Sequence, residues 1–352
     1  MEPVRQEVRM SLYRSNSVVW LLYLFIFSAQ AQEKEPVTFQ VMSYNVENCF
    51  DTDDNPDVSD DEFLPSGERY WTKGRYYRKL QHIAQVIQSA GGWNTPALVG
   101  LCEVENDSVM HHLLTRTSLR QLDYRYCITH GRDRRGINVA LLYQRGQFKY
   151  LGSEEIEIVL PRKERPTRNI LHVWGEIQTS DTVDVFVCHM PSRSGGEVAS
   201  LPKRLLAAER LRSCVDSVLA VRATPQCLIM GDFNDMPEDE SLSSRLEARA
   251  LPAGEPVPGG LYNLFYSGKG SYKYRGEWNQ LDHFIVNGLL LDKKHNMHLQ
   301  EAGNVIYKPD FLLTDDKTWR GKRPFRTYYG FKYEGGYSDH LPLLCTFVLQ
   351  LP

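Results

Sequence analysis

The sequence has no surplus of positive charge: 41 Lys and Arg stand against 44 Asp and Glu in 352 residues, a formal net charge of −3. A protein that gripped a long polyanion over its whole surface would carry the opposite balance, so a global nucleic-acid footprint is excluded. Basic residues are grouped only locally, in "HGRDRRG", "RKERPTR" and "WRGKRPFR", any of which could supply a positive wall around a site. Long apolar runs are equally scarce. Val18–Phe27, inside "VVWLLYLFIFSAQAQ", is shorter than the roughly 20 residues that cross a bilayer. Arg5, Arg9 and Arg14 precede it and the small residues Ala29 and Ala31 follow, which is the order of a secretory signal peptide. The expectation is therefore a signal peptide over residues 1–31, a mature domain over 32–352, and a periplasmic or secreted protein with no stable membrane span after cleavage. Residues 1–31 carry three Arg and two Glu, so the mature charge is −4.

Cysteine is sparse and unpatterned. Seven residues are an odd number, none is spaced C-x-x-C, and most lie in apolar runs such as "LVGLCEVEN", "VFVCHMP", "CLIMGDFN" and "LPLLCTFV". These read as buried thiols acting as small hydrophobes rather than as a zinc site or a disulfide framework; export leaves room for one or two disulfides, on which the fold should not depend. No repeat and no Pro/Gly/Ser linker divides the chain. With 42% hydrophobic residues it has the composition of a globular protein with a sizeable core.

What is present is an alternation of strand-like and helix-like segments. "TFQVMSYNVENCF" reads as a strand, and "RYYRKLQHIAQVIQSAGG" as a helix, with Leu80, Ile83, Ala84, Val86 and Ile87 at helical spacing before a Gly-Gly stop. "PALVGLCEVEN" reads as a strand, "SVMHHLLTRTSLRQL" as a helix and "GINVALLYQ" as a strand. "NILHVWGEIQTSDTVDVFVCHMP" is two strands joined by a polar turn. "KRLLAAERLRSCVDSVLAV" is a helix, and "QCLIMGDF", "LDHFIVNG" and "LPLLCTFVL" are strands. The pattern predicts one α/β domain. The acidic stretch "DTDDNPDVSDDE" places Asp51, Asp53, Asn55, Asp57, Ser59 and Glu62 at the ligand spacing of an EF-hand loop. Pro56, however, stands where that loop needs glycine, so a solvated surface loop is expected instead.

The polar residues fall where the strand-like runs end. "SYNVEN" delivers Asn45 and Glu47, "GLCEVEN" Glu103, "VCHMPSR" His189 and Arg193, "GDFND" Asp232 and Asn234, "QLDHF" Asp282, and "YSDHLP" Asp339 and His340. Taken singly, each has a structural reading: a cap, a turn or a satisfied core histidine. Strand ends of α/β sheets are where ligand sites gather, so the set can converge.

As a set these motifs resemble the endonuclease/exonuclease/phosphatase superfamily, which includes pancreatic-type DNases, abasic-site endonucleases, sphingomyelinases and inositol-polyphosphate phosphatases. "GDFN" followed by "SDH", with Asn-Val-Glu and the Glu103 strand end before them and "LDHF" between, carries the likeness from about Gln40 to Leu349. The chain is most similar to exported bacterial members. The resemblance implies an α/β fold of four layers, a DNase I-like two-sheet sandwich flanked by helices, and hydrolysis of phosphate esters with Mg²⁺ or Mn²⁺. A phosphodiester repels hydroxide, so its hydrolysis calls for a cation, a base and donors for the growing charge. Carboxylates and amides without thiolates suit a hard cation rather than zinc.

By the same resemblance Glu103 leads the metal ligands, with Glu47 and Asp339 near the ion. Asp232 orients or deprotonates the water, and Asn45 and Asn234 hold phosphate or water. His189 and His340 contact phosphate oxygens, with Asp282 and Asp339 fixing the imidazoles and favouring their charged form. Arg134, Arg135 and Arg193 are candidate substrate contacts. The expected partner is a phosphate-ester substrate, nucleic acid first, and no obligate protein partner is evident. Phospholipid head groups or inositol phosphates are the alternative substrates, and a non-catalytic binding module that keeps the fold is the alternative of another class. His189 stands where abasic-site enzymes carry Tyr, which favours the DNase and phosphatase branches.

Overall fold

The computed structural model describes residues 37–351 apart from 93, 180, 268 and 269. The expected signal peptide therefore lies outside the described residues. Among the described residues no helix is long and apolar enough to cross a membrane.

The main strands, in chain order, begin with β1 (Val37–Cys49), β2 (Leu98–Val104), β3 (Tyr124–Ile128), β4 (Asn138–Gln144) and β5 (Phe148–Ile156). They continue with β6 (Ile170–Ile177), β7 (Thr182–His189), β8 (Gln226–Asp232), β9 (Ala248–Arg249) and β10 (Leu261–Asn263). A short hairpin, β11 (Tyr272–Tyr274) and β12 (Glu277–Asn279), precedes β13 (Asp282–Asn287) and β14 (Met297–Ile306). Two more hairpins, β15 (Leu313–Asp315) with β16 (Lys322–Pro324) and β17 (Tyr328–Tyr329) with β18 (Lys332–Tyr333), lead into β19 (Leu343–Leu349). The long helices are α1 (Lys73–Ala90), α2 (Asp107–Thr115) and α3 (Glu197–Val221).

Two mixed sheets result, ordered β14-β19-β1-β2-β4-β3 and β5-β6-β7-β8-β13-β10-β9. Along β8, Leu228 and Met230 pack between the sheets while Cys227 and Ile229 pack outward against Ala207, Leu211 and Val215 of α3. On β1, Val41 faces the inter-sheet core and Met42 the layer of α1 and α2. Both faces of the central strands are buried, which explains why they read as nearly continuous apolar runs. The layers run helix, sheet, sheet, helix, as expected of the two-sheet sandwich. All seven cysteines are free thiols, and Cys49, Cys102, Cys188, Cys227 and Cys345 are buried.

Several element boundaries differ from the sequence reading, each for a local reason. α1 starts at Lys73, where Thr72 Oγ1 accepts the Arg75 N–H. The expected helix over 108–122 breaks after Thr115 because Thr117 bonds back to the Leu113 carbonyl and caps a separate turn at Leu119 N–H. α3 begins at Glu197, with Pro202 inside it. The carbonyl that loses its donor there belongs to the well exposed Val198 and is left to water. β5 escapes detection because its interior is exposed and rich in Lys and Glu, as an edge strand is. The acidic loop is solvated at Asp53, Asn55 and Asp57, but Asp51 and Asp60 are buried, which corrects the fully solvated reading.

The sheets meet tightly where they position the site. A Cβ on Gly100 of β2 would lie 2.8 Å from Met230 Sδ, so the glycine admits the methionine of the facing sheet. Gly231, at φ +137, has no room at all: a Cβ would meet the Cys188 carbonyl oxygen of β7 at 1.8 Å. Gly231→Ala is expected to destabilise the fold by about 3 kcal/mol or more, and Met230→Ala by about 2–5 kcal/mol. Urea unfolding of the two variants checks both values.

Candidate active site

Three strand termini of the second sheet stand side by side. Cα pairing sets His189 (end of β7) opposite Asp232 (end of β8), and Asp232 opposite Asp282 (start of the antiparallel β13). The facing sheet brings Asn45 of β1 beside Cys102 of β2, one residue before Glu103. Asn45 Nδ2 donates to Asp232 Oδ2 at 3.0 Å, a side-chain bond that ties one sheet to the other. Glu47, Asn48, Glu103 and Asn234 all hold left-handed backbone, with φ between 50 and 66°. Such strain in non-glycine residues persists only where surroundings impose it, and here it gathers where the strands end.

Asp232 is held from several sides. Oδ1 accepts the Asn234 N–H at 2.9 Å. Oδ2 lies 3.7 Å from His189 Nε2 and 3.8 Å from His340 Nε2. Burial above all pushes the Asp232 carboxyl up to about 7, with the Asp282 charge adding to the rise and His340 opposing it. His340 Nδ1 contacts Asp282 Oδ2 at 2.7 Å, and Ser271 Oγ donates to that same oxygen. Despite its burial, the charges of Asp282 and Asp232 raise His340 well above the ordinary histidine range. His189 goes the other way: burial, then Arg168 and Arg135, hold it well below that range, and its Nδ1 has no hydrogen-bond partner. The expectation that both imidazoles are charged is corrected at His189.

Asp339 orients neither imidazole. Its Oδ2 accepts Arg326 Nη2 at 2.6 Å, and Arg326 Nε lies 3.6 Å from Glu47 Oε1. Glu47 also accepts the Thr327 N–H at 2.6 Å. Burial and the Asp339 charge push Glu47 up to about 7, against Lys79 and Arg326. Glu103 Oε2 accepts the Asn48 N–H at 2.8 Å and lies 3.6 Å from Arg135 Nη2, while Oε1 is 3.9 Å from His189 Nε2.

Among the described residues one group of donors stands close enough together to hold a cation. Atoms of Asp232, Asp282 and His340 lie within 4.8 Å of one another. However, His340 Nδ1 is engaged by Asp282 and the ring is drawn to its protonated form, so this group already holds its own positive charge. Glu47, Glu103 and Asp339 offer the oxygen donors that a hard divalent cation prefers, but they are not drawn together in the same way: Glu47 and Asp339 flank Arg326, while Glu103 faces Arg135 and His189.

Of the arginines singled out from sequence, Arg135 reaches Glu103, and Arg134 Nε donates to Ser59 Oγ. Both line an open cavity of about 620 Å³ together with Lys163, Arg165 and Arg168. Arg193 is occupied by Asp235, Asp239, Glu197 and the Asn234 carbonyl, and so braces the loop after β8. Sequence reading missed Arg326, Lys79, Ser271 and Ser338. Arg326 belongs to the flagged basic stretch "WRGKRPFR". Lys79 stands on the apolar face of α1, buried, with Nζ donating to Thr327 Oγ1 and the Tyr337 carbonyl at 2.6 Å each. A charged residue on that face was the available signal. Ser271 and Ser338, which fix Asp282 and the Asn45 carbonyl, follow no spacing rule.

A four-layered α/β sandwich with carboxylates, imidazoles and amides converging at its paired strand ends defines a phosphoesterase. The chain belongs to the Endonuclease/Exonuclease/phosphatase family, whose model matches residues 40–348. Among solved structures it is similar to a Bacteroides thetaiotaomicron mannosyl-6-phosphatase, at 16% identity and TM-score 0.55 over 88% of this chain and 100% of that one. A family protein of the same species, at 15% identity and TM-score 0.54, covers 90% and 100%. D. rerio TDP2 complexed with a single-strand DNA product, at 14% identity and TM-score 0.52, covers 88% and 98%. None of the curated proteins matches the chain.

Asp232, Glu47 and His340 share one linkage sign. Each binds a proton more tightly folded than unfolded, so each contributes stability at low pH that is lost as pH rises through its folded value. In EDTA the melting temperature is expected to fall between pH 5.5 and 8, and Asp232→Asn to flatten the decline. Thermal melts across that range check it.

Proposed function

We propose that this protein is a divalent-metal-dependent phosphoesterase that cleaves phosphodiesters by attack of a water held at Asp232. One observation carries the reading. A buried carboxylate, poised near neutral pH, sits between a protonated and a neutral imidazole at the junction of two sheets. A base whose proton affinity lies near the working pH combines the right protonation state with driving force for transfer. Asp232 Oδ2 receives the proton of the attacking water as its oxygen bonds to phosphorus; the P–O bond to the departing alcohol breaks, and the alkoxide takes its proton from solvent. Asn234 N–H and Asn45 Nδ2 fix the carboxylate so that little reorganisation is needed. His340, kept charged by Asp282, donates through Nε2 to a phosphate oxygen and supports the negative charge that grows there. Neutral His189 donates or accepts without adding charge beside Glu103. The divalent ion that Glu47, Glu103 and Asp339 would hold supplies Lewis-acid neutralisation of the phosphate.

The strand-end residues alone do not choose between substrates, but the basic cleft favours one. Arg134, Arg135, Lys163 and Arg165 line an open wall that suits a chain continuing past the scissile phosphate, which supports a nuclease-like activity. The mannosyl-6-phosphatase among the structural neighbours keeps phosphatase action on a small ester as a second reading. We also infer export through residues 1–31. The N-terminal sequence of the protein from a periplasmic or culture fraction should then begin at Gln32, and an intact Met1 in that fraction would refute it.

Asp232→Asn and His340→Ala should each lower turnover by about 10²–10⁴-fold, the usual worth of general acid–base catalysis, with melting transitions retained. Activity on bis-p-nitrophenyl phosphate should exceed that on p-nitrophenyl phosphate, vanish in EDTA and return with Mg²⁺ or Mn²⁺. Near wild-type rates in both variants, or EDTA-resistant activity, would overturn the mechanism.

A further inference from the structure

Residues of the three short hairpins line a cavity of about 290 Å³. Asp339 and Arg326 of the reaction centre form one wall. So does Tyr272, whose ring centroid is 4.7 Å from that of His340. Tyr274, Trp319 and Tyr329 form the rest of the aromatic lining, and each is between 42 and 54% exposed.

Trp319 is held in place by a buried device. The Lys273 side chain, 5% exposed, pairs with Asp316 Oδ2 at 2.9 Å and donates to the Arg320 and Lys322 carbonyls at 2.9 and 3.2 Å. Asp316 Oδ1 in turn accepts the Trp319 N–H at 2.9 Å and the Thr318 N–H at 3.1 Å. The turn that carries Trp319 is thus wrapped around one ammonium group. Gly276, at φ +93, leaves space for the indole: a Cβ there would lie 3.2 Å from Trp319 Cβ. Tyr329 is backed by Arg323, whose guanidinium is 4.7 Å from the ring centroid and whose Nη2 reaches both oxygens of Glu334. An exposed indole fixed on a pinned turn is preorganised for stacking, because little of its freedom remains to be lost on binding.

We propose that this cavity is a ring-binding subsite in which Trp319, with Tyr274 and Tyr329, stacks on the ring of the alcohol esterified to the scissile phosphate. The proposal rests on the phosphoesterase reading and deepens it: the substrate carries a sugar or nucleobase ring next to its phosphate. Stacking a ring on an aromatic side chain is worth roughly 5- to 150-fold in affinity. The pocket lies at the small end of ligand cavities, sized for one ring system rather than for a chain.

The test is calorimetric binding of AMP, glucose 6-phosphate and glycerol 3-phosphate, with Mg²⁺, to the Asp232→Asn protein, and then to the same protein carrying Trp319→Ala or Trp319→Phe. At least one ring-bearing ester should bind tenfold or more tightly than glycerol 3-phosphate. Trp319→Ala should abolish that preference and Trp319→Phe should keep most of it. Preference for AMP assigns the ring to a nucleobase and preference for glucose 6-phosphate to a sugar. Equal affinity for the three, binding of none, or a preference that survives Trp319→Ala overturns the subsite. A Trp319-dependent preference in a protein whose wild type hydrolyses no phosphate ester would sink the catalytic reading and leave the subsite standing.

Discussion

The Asp232 carboxylate is the constraint on which the rest of the site depends. It is 3% exposed, and removing a carboxylate from water is costly unless hydrogen bonds and charges replace the lost solvent. The surrounding residues answer that need: Asn45 from the facing sheet, the Asn234 amide from its own loop, and His340 charged by Asp282. Each partner has its own support, Ser271 on Asp282 and Ser338 on both the Asn45 carbonyl and the His340 amide. The chemistry is available because the carboxylate is only partly compensated, which leaves its proton affinity near neutral.

A second electrostatic group lies beside the first and is kept apart by Arg326. That guanidinium reaches Asp339 and stands near Glu47, while Lys79 approaches from α1 and fixes Thr327, whose amide in turn holds Glu47. The fold thus separates two tasks. One set of carboxylates, Asp232 and Asp282, gathers around the His340 imidazole, and the other, Glu47 and Asp339, offers its oxygens around Arg326. The sheets supply Asp232, Asp282 and Glu47, and the segment before β19 supplies Arg326, Asp339 and His340.

Much of this was legible before any coordinates. The central strands announce themselves as apolar runs, and the positions of Asn45, Glu103, His189, Asp232 and Asp282 follow once those runs are stacked, because each is the terminal residue of its strand or nearly so. The edge strands β5 and β14 were not legible, since exposure on their faces removes the apolar pattern that marks a strand. Pro202 hid the first turn of α3. The pairing of Asp339 with Arg326 rather than with an imidazole depends on the path of the loop between β16 and β18, which no local periodicity encodes. The neutral state of His189 likewise depends on Arg168 and Arg135, brought to it from distant segments.

The bond from Asn45 to Asp232 crosses the interface between the sheets, in the same sandwich where Gly100 admits Met230. The separation of the two sheets is therefore measured at the reaction centre, as a caliper reads the thickness of whatever its jaws enclose. Hydrophobic volume deep in the sandwich and the alignment of the base are one variable. A lineage that enlarges or shrinks its interior has to retune its chemistry in the same step, which limits how freely this scaffold can drift while remaining an enzyme.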